Sequence, residues 1–400
     1  MNHPPSHAKV LFSGIMSLIL TLGIARFAYT PLLPIMQNQT GLGDATGGWL
    51  ATFNYVGYMC GALIAASISD LHLKDRLYRI GLILALVTTA GMALSESLWL
   101  WAIMRFLAGL SSAAGLLIGS GLILNWLIRH NHRMELGIHF SGLGLGIVLS
   151  AIAVDLMSNH FTWDQQWLLL TLIGLVLLFP AWGWLPRPDS TPFTTSGARI
   201  EDRPPARSWI ILLFSSYFCA GFGYVVSATF LVVIVEAEPA LREMGEPAWL
   251  VVGIAAAPAC FLWDRVARIT GELQALALAF ALQMVGIILP VFSASLGVVF
   301  FSAALYGATF IGIVSLMLTM MGKLYPTRPA KPMGKLTLSY GVAQIAAPAL
   351  AGTLAEKAGD YNQSLYLATF IMGIGLVLIL ILIARERGAR NLAAAARSTE

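Results

Sequence analysis

Charged side chains are scarce in this chain of 400 residues: Asp, Glu, Lys and Arg make up 11% of it, whereas 58% is hydrophobic. Water-soluble domains carry about 25% charged residues, and a larger core does not remove the need for a charged exterior. A polar block long enough for a separate soluble domain is also missing. The composition therefore excludes a soluble protein and predicts that the lipid bilayer surrounds most of the surface.

Reactive motifs are equally scarce. The three cysteines, Cys60, Cys219 and Cys260, lie in apolar runs and have the character of small packed side chains rather than disulfide or metal ligands. No HExxH, CxxC or P-loop pattern occurs. We therefore expect no metal, no cofactor, no nucleic-acid partner and no enzymatic activity.

Long apolar runs are what the chain has in abundance. A helix needs about 20 apolar residues to cross the hydrocarbon core. Twelve runs meet this need, at 10–34, 47–69, 78–94, 98–127, 137–157, 166–185, 209–235, 248–263, 273–292, 296–321, 334–355 and 364–384. The first is too long for a signal peptide and predicts an uncleaved helix.

The distribution of basic residues tests this count independently. With the N-terminus on the cytoplasmic side, 20 of the 24 Lys and Arg residues fall in inner segments and two, Arg242 and Lys357, in outer loops. A missed or invented helix would invert the sides and destroy this asymmetry. The pattern predicts a multi-pass protein with both termini in the cytoplasm; the remaining two residues, Arg26 and Arg105, lie inside spans.

The longest inner loop, 186–208, is rich in Pro, Ser and Thr, which is typical of a flexible linker. It divides the chain into 1–185 and 209–400, each with six predicted helices. Short matches repeat across it at nearly constant offset, such as GIARFAYTP (23–31) with GFGYVVSAT (221–229). The sequence thus predicts two parallel six-helix repeats joined by a cytoplasmic linker.

Twelve helices, the 6+6 repeat and the local motifs resemble the major facilitator superfamily. The fourth predicted helix carries Arg105-Phe-Leu-Ala-Gly109, and the eighth ends in Trp263-Asp264-Arg265, both similar to family patterns. The loop at Asp70 is a degenerate copy of the signature loop, with Ala66 and Leu73 where glycines are usual. The strings RFAYTPLLP and GYVVSATFL look like a bacterial branch of the family.

The resemblance implies an all-α transporter that works by alternating access, with helices 1, 4, 7 and 10 around a central cavity. It also implies a bacterial inner (plasma) membrane location and a monomer. Asp70, Asp264 and Arg265 would then belong to an inner gate, bonded to a neighbouring helix N-terminus or to a loop arginine.

Arg26 is the most informative single residue. An arginine in mid-helix costs about 2.5–3.5 kcal/mol on insertion scales, so it needs a polar cavity or a counter-charge. Tyr29 follows at i+3, on the same helix face. Arg26 either attracts an anionic group of the substrate, with Tyr29 beside it, or is a structural arginine bound to backbone carbonyls or to Asp155.

Arg105 lies at about the same predicted depth as Arg26, on the fourth helix. Two like charges on neighbouring helices repel unless an anion or a carboxylate separates them. Asp155 is the one acidic residue clearly inside a span of the first half. We expect it either to pair with the arginines and couple transport to protons, or to end its helix at the membrane interface.

The second half offers neutral candidates: Tyr224 on the seventh helix, Tyr306 on the tenth, and Tyr340 with Gln344 on the eleventh. These would contact the body of a substrate or bridge helices by hydrogen bonds. The sequence favours a proton-coupled secondary transporter of a small organic anion. Export of sugars or amphiphilic, drug-like compounds is the alternative, and a channel or sensor is the remote one.

Overall fold

The computed structural model describes residues 6–397, except 135, 159, 190, 192, 237, 243 and 359. Twelve long helical segments run through these described residues. They are α1 (7–40), α2 (Asp44–Ser67), α3 (Leu71–Met92), α4 (Leu98–Arg129), α5 (Gly137–Ser158), α6 (Trp163–Gly183), α7 (Arg207–Glu236), α8 (Gly245–Thr270), α9 (Glu272–Phe292), α10 (Leu296–Leu324), α11 (Ala330–Ala358) and α12 (Asn362–Arg397). The twelve predicted runs each fall on one of these segments, which confirms the predicted all-α membrane fold.

Within the described residues, ten of the helices are long and apolar enough to cross a membrane by length and composition alone. The other two, α3 and α11, are similarly long but begin with charged turns. These turns contain Lys74 and Arg76 in α3, and Lys331 and Lys335 in α11. Because the prediction used apolar runs alone, it started both helices several residues after their observed first residues. Exposed apolar side chains such as Phe179 and Val176 cover the outside of the bundle, as expected of a surface in contact with lipid.

Helices α1–α6 pack mainly on one another, and so do α7–α12. The principal contacts between these two sets join α5 to α8 and α2 to α11. Because the helices cross back and forth, the segment between α6 and α7 lies at the same end of the bundle as both chain ends. We call this end the linker face.

The segment at 184–206 is docked against the helices rather than free, in contrast to the flexible linker that its composition predicts. The side chain of Asp75 pairs with both Arg79 and Arg187, and Arg79 also donates to the carbonyl oxygens of Trp182 and Leu185. A short antiparallel bridge joins Phe193 to Arg199. These bonds satisfy the charges of Asp75 and Arg79 and hold the described part of the linker in place.

Two helices of the first set contain π-helical stretches, Ile19–Phe27 in α1 and Ala114–Gly119 in α4. In the first, the amide of Ala28 donates to the carbonyl of Gly23, five residues back, at 2.9 Å. Ser112 of α4 donates to the carbonyl oxygen of Thr21 at 2.8 Å. Such stretches are rare and often mark functional positions.

The π-helical part of α1 crosses α5 at its closest point. A Cβ placed on Gly23 would lie 2.6 Å from the Cα of Gly146, and one on Gly146 would lie 2.7 Å from the Cα of Gly23. Only glycine on both sides permits this approach of two backbones. The crossing fixes the position of Arg26, three residues further along α1.

Candidate functional site

A cavity of about 40 Å³ lies in the centre of the bundle, between the two sets of helices. Its wall is built by α1, α2, α4, α5, α7, α10 and α11. The lining residues are Leu22, Arg26, Phe27, Tyr58, Leu116, Leu143, Tyr217, Tyr224, Phe310, Ile311, Val314, Tyr340 and Gln344. We refer to this space as the central cavity.

The guanidinium of Arg26 is the charged group in this wall. The guanidinium carbon, Cζ, lies 4.9 Å from the ring centre of Tyr55, 5.0 Å from that of Tyr58 and 5.6 Å from that of Phe27. The residue is 8% exposed. Aromatic faces stabilise a cation through the ring quadrupole but do not neutralise it. Among the residues that the structure describes, no carboxylate forms an ion pair with Arg26, so its charge is available to an anion.

Opposite Arg26, the wall is aromatic. Tyr224 contacts Phe310 and Tyr340 at ring-centre distances of 5.1 and 5.6 Å, and Tyr217 contacts Tyr340 at 4.6 Å. The Gln344 side chain is 4% exposed, and its carbonyl oxygen has no hydrogen-bond partner in the described part of the chain. Buried polar groups are normally paired, so this oxygen points to a ligand donor.

The structure thus places Arg26, Tyr224, Tyr340 and Gln344, out of the predicted substrate-binding residues, around one space. Tyr55 and Tyr58 of α2, which surround Arg26, and Phe310 of α10 were not singled out from the sequence. The signal was weak, because aromatic residues in apolar runs usually pack in the core. The i, i+3 spacing of the two α2 tyrosines is the feature that would have drawn attention to them.

Arg105 does not line the central cavity, contrary to the prediction that both arginines face it. Its guanidinium carbon lies 4.2 Å from the ring centre of Tyr29, and one of its nitrogens donates to the carbonyl oxygen of Ala25 at 3.2 Å. The hydroxyl of Tyr29 in turn donates to Gly47 of α2. Arg105 and Tyr29 therefore join α1, α2 and α4. The buried Nε of Arg105 has no hydrogen-bond partner among the described residues.

Asp155 is exposed on α5, and in the described residues no ion pair joins it to Arg26 or Arg105. The pairing with the arginines, one of the two expected alternatives, is therefore not formed in this conformation. Spacing along a helix gives the depth of a residue only approximately and its facing direction not at all. The position near the end of α5 corresponds to the alternative, an interfacial residue.

Tyr306 also lies outside the cavity wall. Its hydroxyl donates to the carbonyl oxygen of Tyr224 at 2.9 Å and so ties α10 to α7. We expect Tyr306→Phe to lower the free energy of unfolding by about 0.5–1.5 kcal/mol, the usual net value of one hydrogen bond. Substrate affinity should be unchanged. Thermal unfolding and ligand titration of the variant would check both; a large loss of affinity would assign Tyr306 to the binding site instead.

At the linker face, Asp264 of α8 accepts a hydrogen bond of 2.6 Å from the amide of Gly137, at the start of α5. The two helices are thus joined across the bundle by a carboxylate at a helix N-terminus, an arrangement that the helix dipole favours. Further bonds close the same face, from Asn125 to the carbonyl of Pro326 and from Lys331 to the hydroxyl of Ser69. The linker face is therefore closed in this conformation.

The other two predicted gate residues have different places. Asp70 caps its own helix α3, accepting from the amides of Leu73 and His72, and these bonds hold the pKa of its carboxyl below the ordinary value. Arg265 is exposed on α8. Of the predicted set, Asp264 is the residue for which the structure shows a bond across the bundle.

Loss of this carboxylate should loosen the closed face. In Asp264→Ala, we expect the amides of 137–141 to exchange hydrogen about 10 to 150 times faster, corresponding to the 1.5–3 kcal/mol of a hydrogen bond to a charged group. Hydrogen–deuterium exchange read by mass spectrometry measures this. Asp70→Ala is the matched control, since that carboxylate caps only α3. Equal exchange in the parent and Asp264→Ala would remove Asp264 from the gate.

Comparison with known proteins places the chain among transporters. The family model described as "Uncharacterised MFS-type transporter YbfB" matches residues 18–383. The uncharacterized MFS-type transporter YceJ of Bacillus subtilis is 24% identical over 89% of this chain and 85% of its own length. The uncharacterized transporter mfc1 of Schizosaccharomyces pombe is 28% identical over 44% of this chain, and the match spans 36% of that protein.

Two partial relatives from Acinetobacter baylyi have named substrates. The niacin transporter NiaP is 24% identical over 48% of this chain and 40% of its own length, and the benzoate transport protein is 25% identical over 46% and 40%. Among solved structures, the human organic anion transporter MFSD10 (TETRAN) superposes with a TM-score of 0.75 at 16% identity, covering 94% of this chain and all of that one. At this identity the likeness concerns the fold.

Proposed function

This chain belongs to the major facilitator superfamily of transporters. We propose that it carries a small, planar organic anion across the membrane, and that this anion is an aromatic monocarboxylate. Its relatives are transporters and not enzymes. The observation that carries the proposal is Arg26 in the wall of the central cavity, with aromatic neighbours and no described carboxylate to neutralise it.

The chemistry of the wall suits such a substrate. A carboxylate can accept two parallel hydrogen bonds from a guanidinium, which orients it as well as binding it. The rings of Tyr224, Tyr340 and Phe310 offer flat apolar faces on which an aromatic ring can stack. The names of the niacin and benzoate relatives agree with this substrate class.

We further propose alternating access driven by a proton gradient. The closed linker face, with Asp264 bonded to α5, corresponds to one of the two states that such a cycle requires. In the second state this bond would break and the central cavity would open to the linker face. Export of sugars or amphiphilic compounds stays the rival function, because most of the cavity wall is neutral.

A ligand panel tests the proposal. With purified protein, benzoate and nicotinate should raise the melting temperature, whereas benzamide, of similar shape but neutral, should not. Cyclohexanecarboxylate keeps the charge without the flat ring and should have a smaller effect. Labelled benzoate should then exchange across proteoliposomes, and an inward-directed or outward-directed pH gradient that concentrates it gives the coupling and direction. Stabilisation by sugars or cationic dyes, and none by the acids, would favour the exporter.

A further inference from the structure

A second cavity lies at the linker face between α7, α10 and α11, with a volume of about 450 Å³. We call it the basic pocket. Its lining residues are Asp202, Ile210, Phe214, Met321, Tyr325, Arg328, Lys331, Pro332 and Lys335. It differs from the central cavity in its residues and in its place in the bundle, and the transport function proposed above makes no use of it.

Positive charge predominates in this pocket. Arg328, Lys331 and Lys335 contribute three cations, against one carboxylate, Asp202. The oxygens of Asp202 already accept hydrogen bonds from the amide and the hydroxyl of Thr327, at 2.8–3.1 Å. The carboxylate is thus held by the α10–α11 loop, and the charged side chains of the pocket carry a net charge of +2.

A fourth cation lies behind the first three. Lys74 of α3 is fully buried, and its ammonium nitrogen has no hydrogen-bond partner in the described part of the chain. Arg328 and Lys331 are close enough for their charges to repel it. A buried ammonium without a partner costs free energy, and the nearby cations increase that cost. An anion in the basic pocket would reduce the repulsion.

The surface next to the pocket indicates what kind of anion. Leu338, Val342 and Ile345 follow Lys335 along α11 at spacings of three and four residues, so they form one stripe. Val342 is 53% exposed and Ile345 44%. The stripe leads from the linker face into the part of the helix that lipid surrounds. Cations at the membrane boundary with an apolar stripe beyond them match a molecule with an anionic head and an apolar tail.

We propose that the basic pocket binds the headgroup of an anionic phospholipid, with an acyl chain along the α11 stripe. The charge of the pocket favours an anionic lipid over a zwitterionic one, since basic residues at the membrane surface attract anionic headgroups. Lys331 also bonds Ser69 of the α2–α3 loop across the closed linker face. The bound lipid therefore stabilises the conformation in which this face is closed.

The test is native mass spectrometry of the full-length protein in detergent, titrated with phosphatidylglycerol or phosphatidylcholine. We expect the parent to bind phosphatidylglycerol more tightly. The double variant Arg328→Gln/Lys335→Gln should lose about fivefold in phosphatidylglycerol affinity for each cation, about 25-fold in all, and keep its phosphatidylcholine affinity. Lys335→Arg, which conserves the charge, should bind like the parent and shows that the site tolerates substitution.

Arg385→Gln is the matched control, because Arg385 is an exposed cation near the linker-face end of α12 that is not among the lining residues of the basic pocket. An equal loss in this control would show a general charge effect and overturn the proposal. So would unchanged phosphatidylglycerol affinity in the double variant. Displacement of the lipid by millimolar inorganic phosphate would make the pocket a site for a free anion instead. None of these outcomes depends on the substrate of the central cavity.

Discussion

Arg26→Met should abolish transport and weaken binding of the aromatic acid about 10- to 150-fold, since a hydrogen bond to a charged group is worth about 1.5–3 kcal/mol. Methionine replaces the aliphatic part of the arginine side chain and removes the guanidinium that lies against the aromatic rings of α1 and α2. Arg26→Lys should give an intermediate loss, because an ammonium keeps the charge but not the planar pair of donors. Ligand titration followed by uptake in proteoliposomes measures both variants.

Stability separates the two interpretations of Arg26. An arginine that binds substrate is a buried charge without a counter-charge in the empty protein, so its removal should leave the melting temperature unchanged or raise it. Arg105→Met is the matched comparison. It removes a bond to the carbonyl of Ala25 and the contact with Tyr29, and should lower the melting temperature. If Arg26→Met is destabilised as strongly as Arg105→Met, Arg26 is a structural residue.

Gly146→Ala should destabilise the protein more than a single methyl group ordinarily does. The added Cβ would lie 2.7 Å from the Cα of Gly23, and both atoms belong to helix backbones that cannot move independently. Overpacking of this kind costs about 1–3 kcal/mol. We expect a lower melting temperature and, because Arg26 follows three residues after Gly23, weaker ligand binding as well.

Gly297→Ala provides the control for this substitution. Gly297 lies in the first turn of α10, and a Cβ there meets no atom within 4 Å. The control should be as stable as the parent or slightly more stable, since alanine favours helix. If the Gly146→Ala variant had the same melting temperature as the control, α1 and α5 could move apart at their crossing without loss of stability.

The sequence was sufficient for the number of helices, because each span has to satisfy the same length and polarity requirement. It also singled out Arg26, since a charge in a span is rare enough to be noticed. Gln344 was found through its depth along α11. These three results depend on one-dimensional quantities: length, charge and distance from a helix end.

The neighbours of each residue could not be obtained in this way. Arg26 and Arg105 have the same chemistry and similar depth, yet one faces the central cavity and the other a backbone carbonyl. The difference is the rotation of each helix about its axis. Tyr55 and Tyr58 were missed for the same reason, because only the packing of α2 against α1 brings their rings to the guanidinium.

The π-helical stretch of α1 makes the register of this helix unusually tolerant of length. Such a stretch contains one more residue than the α-helix that would cover the same distance. Deleting one residue within it, such as Thr21, would let the helix relax to ordinary α-geometry, and the segments on either side would keep their direction. A one-residue deletion in the α-helical part before the stretch would instead turn everything on one side by about 100° relative to the other side, the angle of one residue. With the crossing at Gly23 held by α5, that turn would fall on the segment before the stretch and leave Arg26 in the wall of the central cavity.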